Sequence, residues 1–299
     1  MKSDMVKYLA RLKLTVAVAL LTIFALASTM PVFAESPHLK MGNPSGATTD
    51  LGNKNNFLME KEYFALAYNN GNGTPNWVSW RLVKTDLGSA QRMPFHPDED
   101  LPTGFKVVLP ADYTGAGFDR GHMCPHSDRA SSDVASAATF AMSNMIPQSP
   151  NVNQKAWDQL ESYCRDLVQK HGKTLYIIDG PAGNGGTGKN GFKEIVGRGR
   201  INITVPAKCW KVIMVLNAGT DDDLDRITTE TRLIAVIMPN DMTVGEEWAK
   251  FRVSVKEVEQ LTGYTFFDKA PKLIIEPLKE KTDDESIAPA KPIYRGSRS

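Results

Sequence analysis

The sequence predicts an α+β fold in which a largely antiparallel central sheet is flanked by helices. Two observations carry that prediction. Short apolar runs bounded by Gly, Pro or Asn outnumber the helical stretches, and they do not alternate with helices in the rhythm of a parallel sheet. The strand candidates are 63–68, 77–83, 140–146, 175–178, 210–216 and 233–238. The clearest helix is 154–171, where Trp157, Leu160, Cys164, Leu167 and Val168 recur at helical spacing. Pro150 and Asn151 precede it as start signals and Gly172 closes it. A second helix fits 253–261, ahead of Gly263.

The N-terminus reads as a secretory signal over residues 1–34. Lys2, Lys7, Arg11 and Lys13 precede an apolar run at 14–26, and a small-residue cleavage pattern ends at Val32-Phe33-Ala34. The alternative is an uncleaved anchor. Removal of the signal implies a secreted or periplasmic protein without membrane attachment, since no other segment approaches the ~20 apolar residues of a membrane span. Residues 35–56 are polar and rich in Gly, Pro and Asn, which predicts a flexible spacer; 57–272 is the folded domain; 273–299 reads as a loose tail.

Charge identifies no partner by itself. The chain has 35 Lys+Arg against 34 Asp+Glu, and without residues 1–34 the balance becomes 31 against 33. A strongly basic domain would have pointed to nucleic acid, so that partner has to be argued from local residues. Three cysteines, Cys124, Cys164 and Cys209, allow one disulfide with a free thiol, or none. Cys124 with Cys164 is one candidate pair.

Two segments concentrate polar groups that a core would not tolerate unpaired. The first is Asp119-Arg120-Gly121-His122. On an extended strand Arg120 and His122 share a face and Asp119 points to the other, while Gly121 leaves room for a close approach. A histidine beside an arginine tends to stay neutral, as a general base must. A hydrogen-bonded strand histidine fits the same four residues. The second segment runs from Asn144 through Asn153 into the helix bearing Trp157, Glu161 and Arg165. Asn153, Trp157 and Glu161 form a drifting stripe on one side of it. Taken singly, Asn153 also fits an N-cap, and Glu161 with Arg165 an ordinary surface ion pair.

Together the two segments resemble the DNA/RNA non-specific endonucleases, the ββα-metal or His-Me finger nucleases. The first matches their D-R-G-H signature, and Asn153-x-x-x-Trp157-x-x-Leu160-Glu161 stands where that family places its metal helix. The likeness runs over most of 57–270, including Pro75-Asn76-Trp77-Val78-Ser79-Trp80 and Leu261-Thr262-Gly263-Tyr264. The resemblance implies a metal-dependent endonuclease with little sequence preference, acting on DNA and RNA and leaving 5′-phosphate ends. It implies His122 as general base and Asn153 as the protein ligand of Mg²⁺, with Mn²⁺ as the other ion. Glu161 and Asp119 would hold waters around the metal. Arg92 falls near the family's arginine at the scissile phosphate, with a one-residue gap, and Arg120 and Arg165 match its other active-site arginines.

Elementary chemistry agrees with these roles. Phosphodiester hydrolysis builds negative charge that positioned cations must meet. Mg²⁺ prefers oxygen ligands and keeps several waters, so a single carboxamide suffices. Arginine's planar fork suits phosphate. A protein inhibitor and a second subunit stay open as further partners. A catalytically impaired nucleic-acid-binding protein on the same fold is the alternative function.

Other motifs are decoys. Residues 183–190 nearly spell a P-loop, but Asn190 replaces the Ser/Thr and no helical pattern follows. The segment reads as a surface loop, plain or touching substrate phosphates through Lys189, Lys193, Arg198 and Arg200. His122, Cys124 and His126 suggest zinc or an envelope redox protein but offer no fourth ligand. Trp77 and Trp80 fit the core better than a base-stacking platform. Asp128-Arg129 should order the loop after the histidine.

Overall fold

The computed structural model describes residues 36–220 and 222–286, so the proposed signal at 1–34 lies outside the described residues. The strands in chain order are β1 (Phe57–Glu60), β2 (Ala65–Asn69), β3 (Thr74–Leu82), β4 (Asp119–His122), β5 (Met145–Gln148), β6 (Thr174–Ala182), β7 (Gly186–Gly188), β8 (Gly191–Lys193), β9 (Ile195–Val196), β10 (Ile203–Thr204), β11 (Lys208–Leu216), β12 (Arg232–Pro239) and β13 (Arg252–Val253). The α-helices are α1 (Asp133–Ala138), α2 (Trp157–His171), α3 (Val255–Thr262) and α4 (Lys272–Lys279). Seven strands form one sheet in the order β1-β2-β3-β6-β11-β12-β13, and every neighbouring pair is antiparallel. The α+β reading holds.

Both faces of this sheet are covered, and alternation along each strand divides the core in two. On one face Val78, Trp80, Ile177, Ile213, Ile234 and Val236 pack against Trp157, Leu160, Cys164 and Val168 of α2. On the other, Trp77, Ile178, Trp210, Val212 and Ala235 meet Val255 and Val258 of α3 and Ile275 and Leu278 of α4. Both tryptophans of the 75–80 motif are therefore core. Trp77 Nε1 donates to Ser45 Oγ and Trp80 Nε1 to Asp128 Oδ2.

Three expectations need correction. Residues 36–56 are not a flexible spacer: Leu39, Met41 and Ala47 are buried in the second core, and Asn43 and Asn56 tie their neighbours' backbone. The polar residues there close turns instead of keeping the chain solvated. The segment from 273 is not loose as far as residue 286. It contains most of α4, and Asp283 beyond it pairs with Arg232 and Arg252. The 140–146 run is a strand only from Met145. Residues Met142–Asn144 form a 3₁₀ turn, held because the buried Asn144 amide donates to the carbonyls of Cys124 and Thr139.

The two helices fall close to their expected places. Gly172 and Gly263 terminate α2 and α3 in the left-handed conformation, as a C-terminal glycine permits. Ser254 and Glu257 form a capping box that starts α3 two residues later than the apolar pattern indicates.

Candidate active site

Strand β4 pairs with β5 in antiparallel register, Asp119 opposite Gln148, Arg120 opposite Pro147, Gly121 opposite Ile146 and His122 opposite Met145. The chain then enters a wide π turn, Val152–Ala156, that runs into α2. This makes a ββα unit. Gly121 is required by packing: a Cβ there would sit 2.2 Å from Gln148 Oε1 and 2.5 Å from its Cβ, and Gln148 is fully buried.

Asp119 latches the strand to the start of the helix. Its Oδ2 accepts from Asn153 Nδ2 at 2.9 Å and from Gln154 Nε2 at 2.7 Å. Spending the amide nitrogen this way turns the Asn153 carbonyl oxygen to the opposite side, available as a donor to a cation. Asn153 is therefore more than the N-cap the sequence allowed: no side-chain cap bond starts this helix, and its amide goes to the strand.

His122 lies on the opposite face of β4 from Asp119. Its ring stands edge-on to Phe140 at 4.9 Å and near Phe95 at 5.4 Å, and Nε2 is buried with no hydrogen-bond partner among the described residues. Burial pushes its pKa down to about 3, aided by the charges of Arg92 and His126. The imidazole is thus neutral, as expected, but the main cause is desolvation. The arginine acting on it is Arg92, not its neighbour Arg120.

The three arginines differ in what holds them. Arg92 is exposed, with its guanidinium carbon 5.2 Å from the Phe140 ring that also flanks His122. Arg120 donates through Nε and Nη2 to the Pro110 carbonyl at 3.1 and 2.6 Å and lies over Phe95. Arg165 pairs with buried Asp128 at 3.1 Å. The surface pair with Glu161 that the spacing also allowed does not form among the described residues.

Glu161 instead faces inward. Its Oε1 is 4.0 Å from Nζ of Lys211, a lysine only 1% exposed. Lys211 also pairs with Asp179 at 3.0 Å and lies over Trp157 at 4.3 Å and Trp80 at 5.2 Å. Burial pushes the Glu161 carboxyl up to about 8 even though Lys211 and Arg165 pull it down. Burial pushes Asp179 up as well. The cause can be counted: two cations, Lys211 and Arg165, serve three carboxyls, Glu161, Asp179 and Asp128. One carboxyl is left short of a cation, and burial favours its protonated form.

Sequence reasoning missed Lys211, Asp179, Asp128 as the anchor of Arg165, and Phe140 as the wall of the histidine. A signal existed for the first two. Each is a charged residue at a core-facing position of an otherwise apolar strand. Arg129 does order its loop, donating to the carbonyls of Tyr63, Arg81 and Asp128.

The donor set fits a hard divalent cation. Asn153 offers a neutral oxygen oriented by an adjacent carboxylate, and the acid-rich cluster under α2 has a deficit of positive charge. Glu161 is eight residues from Asn153, roughly 12 Å of helix rise, which suits contact through water better than shared ligation. Zinc does not fit: among the described residues no three His, Cys, Asp or Glu gather as a metal site. Cys124, Cys164 and Cys209 are buried free thiols, so the Cys124–Cys164 pair does not form. The near-P-loop is the β7–β8 hairpin, with no helix to receive a phosphate.

An antiparallel sheet carrying a ββα unit, a neutral strand histidine and a latched helix-start asparagine is the layout of a ββα nuclease. Comparison with known proteins agrees. The family model for the DNA/RNA non-specific endonucleases matches residues 42–273. A nuclease of Nostoc sp. is 44% identical over 250 residues, covering 83% of this chain and 87% of its own length. The mitochondrial nuclease EXOG of Xenopus laevis is 32% identical over 209 residues, 68% of this chain and 56% of that protein. Among solved structures, EndoG in its complex with EndoGI superposes with a TM-score of 0.64 at 25% identity, covering 79% of this chain and 92% of that one. The chain belongs to the DNA/RNA non-specific endonuclease family and is a nuclease.

Proposed function

We propose that the protein is an exported endonuclease that hydrolyses phosphodiester bonds of DNA and RNA with little sequence preference, His122 removing a proton from the attacking water. The observation that carries this reading is the pairing of a neutral imidazole beside Arg92 with a carboxamide latched by Asp119 on one ββα unit.

Each residue has a task its surroundings support. Phe140 and Phe95 hold the His122 ring, and burial keeps the imidazole neutral, the form that can accept a proton. Arg92, exposed and among the described residues held only against an aromatic face, is free to meet a phosphate oxygen. Arg120 keeps one edge of its guanidinium on Pro110 and can offer the remainder. Asn153 and the waters ordered by Asp119 and Glu161 would hold Mg²⁺ or Mn²⁺, which when bound supplies charge to the phosphate and leaving oxygens. Arg165, fixed by Asp128, restrains the helix face that carries Glu161. Contacts to phosphate carry no base information, which accounts for slight sequence preference. Attack by water needs no 2′-hydroxyl, so both DNA and RNA qualify. The signal-like segment at 1–34 supports secretion or a periplasmic location.

Plasmid nicking with magnesium, abolished by chelator, tests the activity. His122→Ala should lower the rate by about 10²–10⁴-fold, the usual contribution of a positioned base, and Asn153→Ala should lower it by removing the proposed metal ligand. Full activity in both variants would reject the assigned site. The alternative of a binding-only protein gives a retained complex with no cleavage. The intact His122, Asn153 and Glu161 weigh against it.

A further inference from the structure

The hairpin that nearly spells a P-loop is not absorbed by the catalytic centre, and its surroundings give it a use. A groove of about 370 Å³ runs between the turn at 112–116 and the segment 193–202, lined by Thr114, Gly115, Lys193, Arg198 and Asn202. It begins two residues from the Pro110 carbonyl that holds Arg120. One cluster of apolar side chains underlies both places: Tyr113 and Met145, beside Arg120 and His122, pack with Val196 and Ile203 beneath the groove.

The walls are preorganised. Lys189 N donates to the Gly117 carbonyl at 2.8 Å, Asn190 Nδ2 to the Gly115 carbonyl at 3.0 Å, and Arg198 Nη2 to the Thr114 carbonyl at 3.3 Å. A Cβ on Gly188 would sit 2.3 Å from the Gly117 carbonyl oxygen, so the hairpin rests directly on that turn. The charge is one-sided. Lys189, Arg198 and Arg200 are exposed, and among the described residues none of these or Lys193 has a carboxylate within ion-pair distance. Asp112, the acid in the lining, turns inward to accept from Leu109 N. Arg200 and Glu194 border the groove without lining it, and Phe192, 64% exposed, lies over Gly185 on the other face of the hairpin.

We propose that this groove is a subsite for the sugar-phosphate backbone of a single-stranded nucleic acid, away from the cleaved bond, with Lys193 and Arg198 of its lining and the bordering Arg200 on its phosphates. The assignment rests on the nuclease reading for its substrate class. Phosphate contacts at a distance act only on substrates long enough to reach them, and each one adds to the salt dependence of binding.

The test compares the wild type with Lys193→Gln/Arg198→Gln/Arg200→Gln on a 24-nucleotide single strand and on a trinucleotide, with magnesium. On the long strand kcat/KM should fall about 10- to 100-fold and the salt slope should shallow by about 2, as three lost phosphate contacts imply. On the trinucleotide it should stay within about twofold, because phosphate contacts position and the distant ones are absent there. An unaltered long-strand rate, or equal loss on both substrates, overturns the subsite. Anisotropy of a labelled 24-mer in chelator separates the two readings. If the wild type cleaves nothing, the nuclease reading falls, while loss of binding in the triple variant still supports the groove and unchanged binding rejects it.

Discussion

The two faces of the central sheet each bury a lysine, and they treat it differently. On the face away from the site, Lys279 is 0% exposed and is held by Glu259 at 3.0 Å and Glu276 at 2.9 Å. Glu259 in turn accepts from Phe266 N and Lys256. On the face under the ββα unit, Lys211 is 1% exposed, and the groups around it are poorly served. Asp179 Oδ1, both polar atoms of the Gln148 side chain and Trp157 Nε1 are buried without a hydrogen bond among the described residues, and Asp179 Oδ2 has only its pair with Lys211. Buried polar groups are normally satisfied, and the exceptions concentrate where function needs them. The network around Lys279 is closed. The site face is left short of partners, beneath a helix whose start is proposed to take a cation.

The comparison can be broken by cutting each lysine. Lys211→Met leaves Asp179 uncompensated in the core and should cost about 3–5 kcal/mol in chemical denaturation. Adding Asp179→Asn should recover much of that loss. Lys279→Met should cost less, about 1–3 kcal/mol, because Glu259 keeps its other two partners. Equal losses at the two lysines would mean that the faces do not differ.

Acidity sharpens the same contrast. The folded pKa of Glu161 is raised, so the fold favours its protonated form. The associated stability is complete below the unfolded carboxyl range and is lost as pH rises toward about 8. Without metal, Glu161→Gln and the wild type should melt alike near pH 4, and the variant should gain steadily up to pH 8. A constant gap would show that Glu161 is ionised throughout. The smallest expected effect is an absence. With His122 held near 3, kcat/KM should show no inflection from this histidine between pH 6 and 7.

How far the sequence discloses this arrangement depends on the range of the contacts. Gly172, Gly263 and the apolar spacing of Trp157, Leu160 and Cys164 mark helices because caps and periodicity are local. The polar face of Asp119-Arg120-Gly121-His122 is likewise readable from strand alternation. The packing of 36–56 is not, since Leu39 and Met41 find their partners on strands far along the chain. The same applies to Arg165, which turns from Glu161 one helical turn away to Asp128. Phe140 gives no local hint that it will wall His122, and strand pairing alone brings Lys211 opposite Asp179.

The Asp119 latch also explains why position 153 carries an amide rather than an acid. An aspartate there would set two anions where a hydrogen bond of 2.9 Å now stands. Deamidation of Asn153 to aspartate makes that same exchange, so a molecule altered there would lose the tie between strand and helix start with no break in its chain. A protein that ages at this residue would look intact by size and fail by charge.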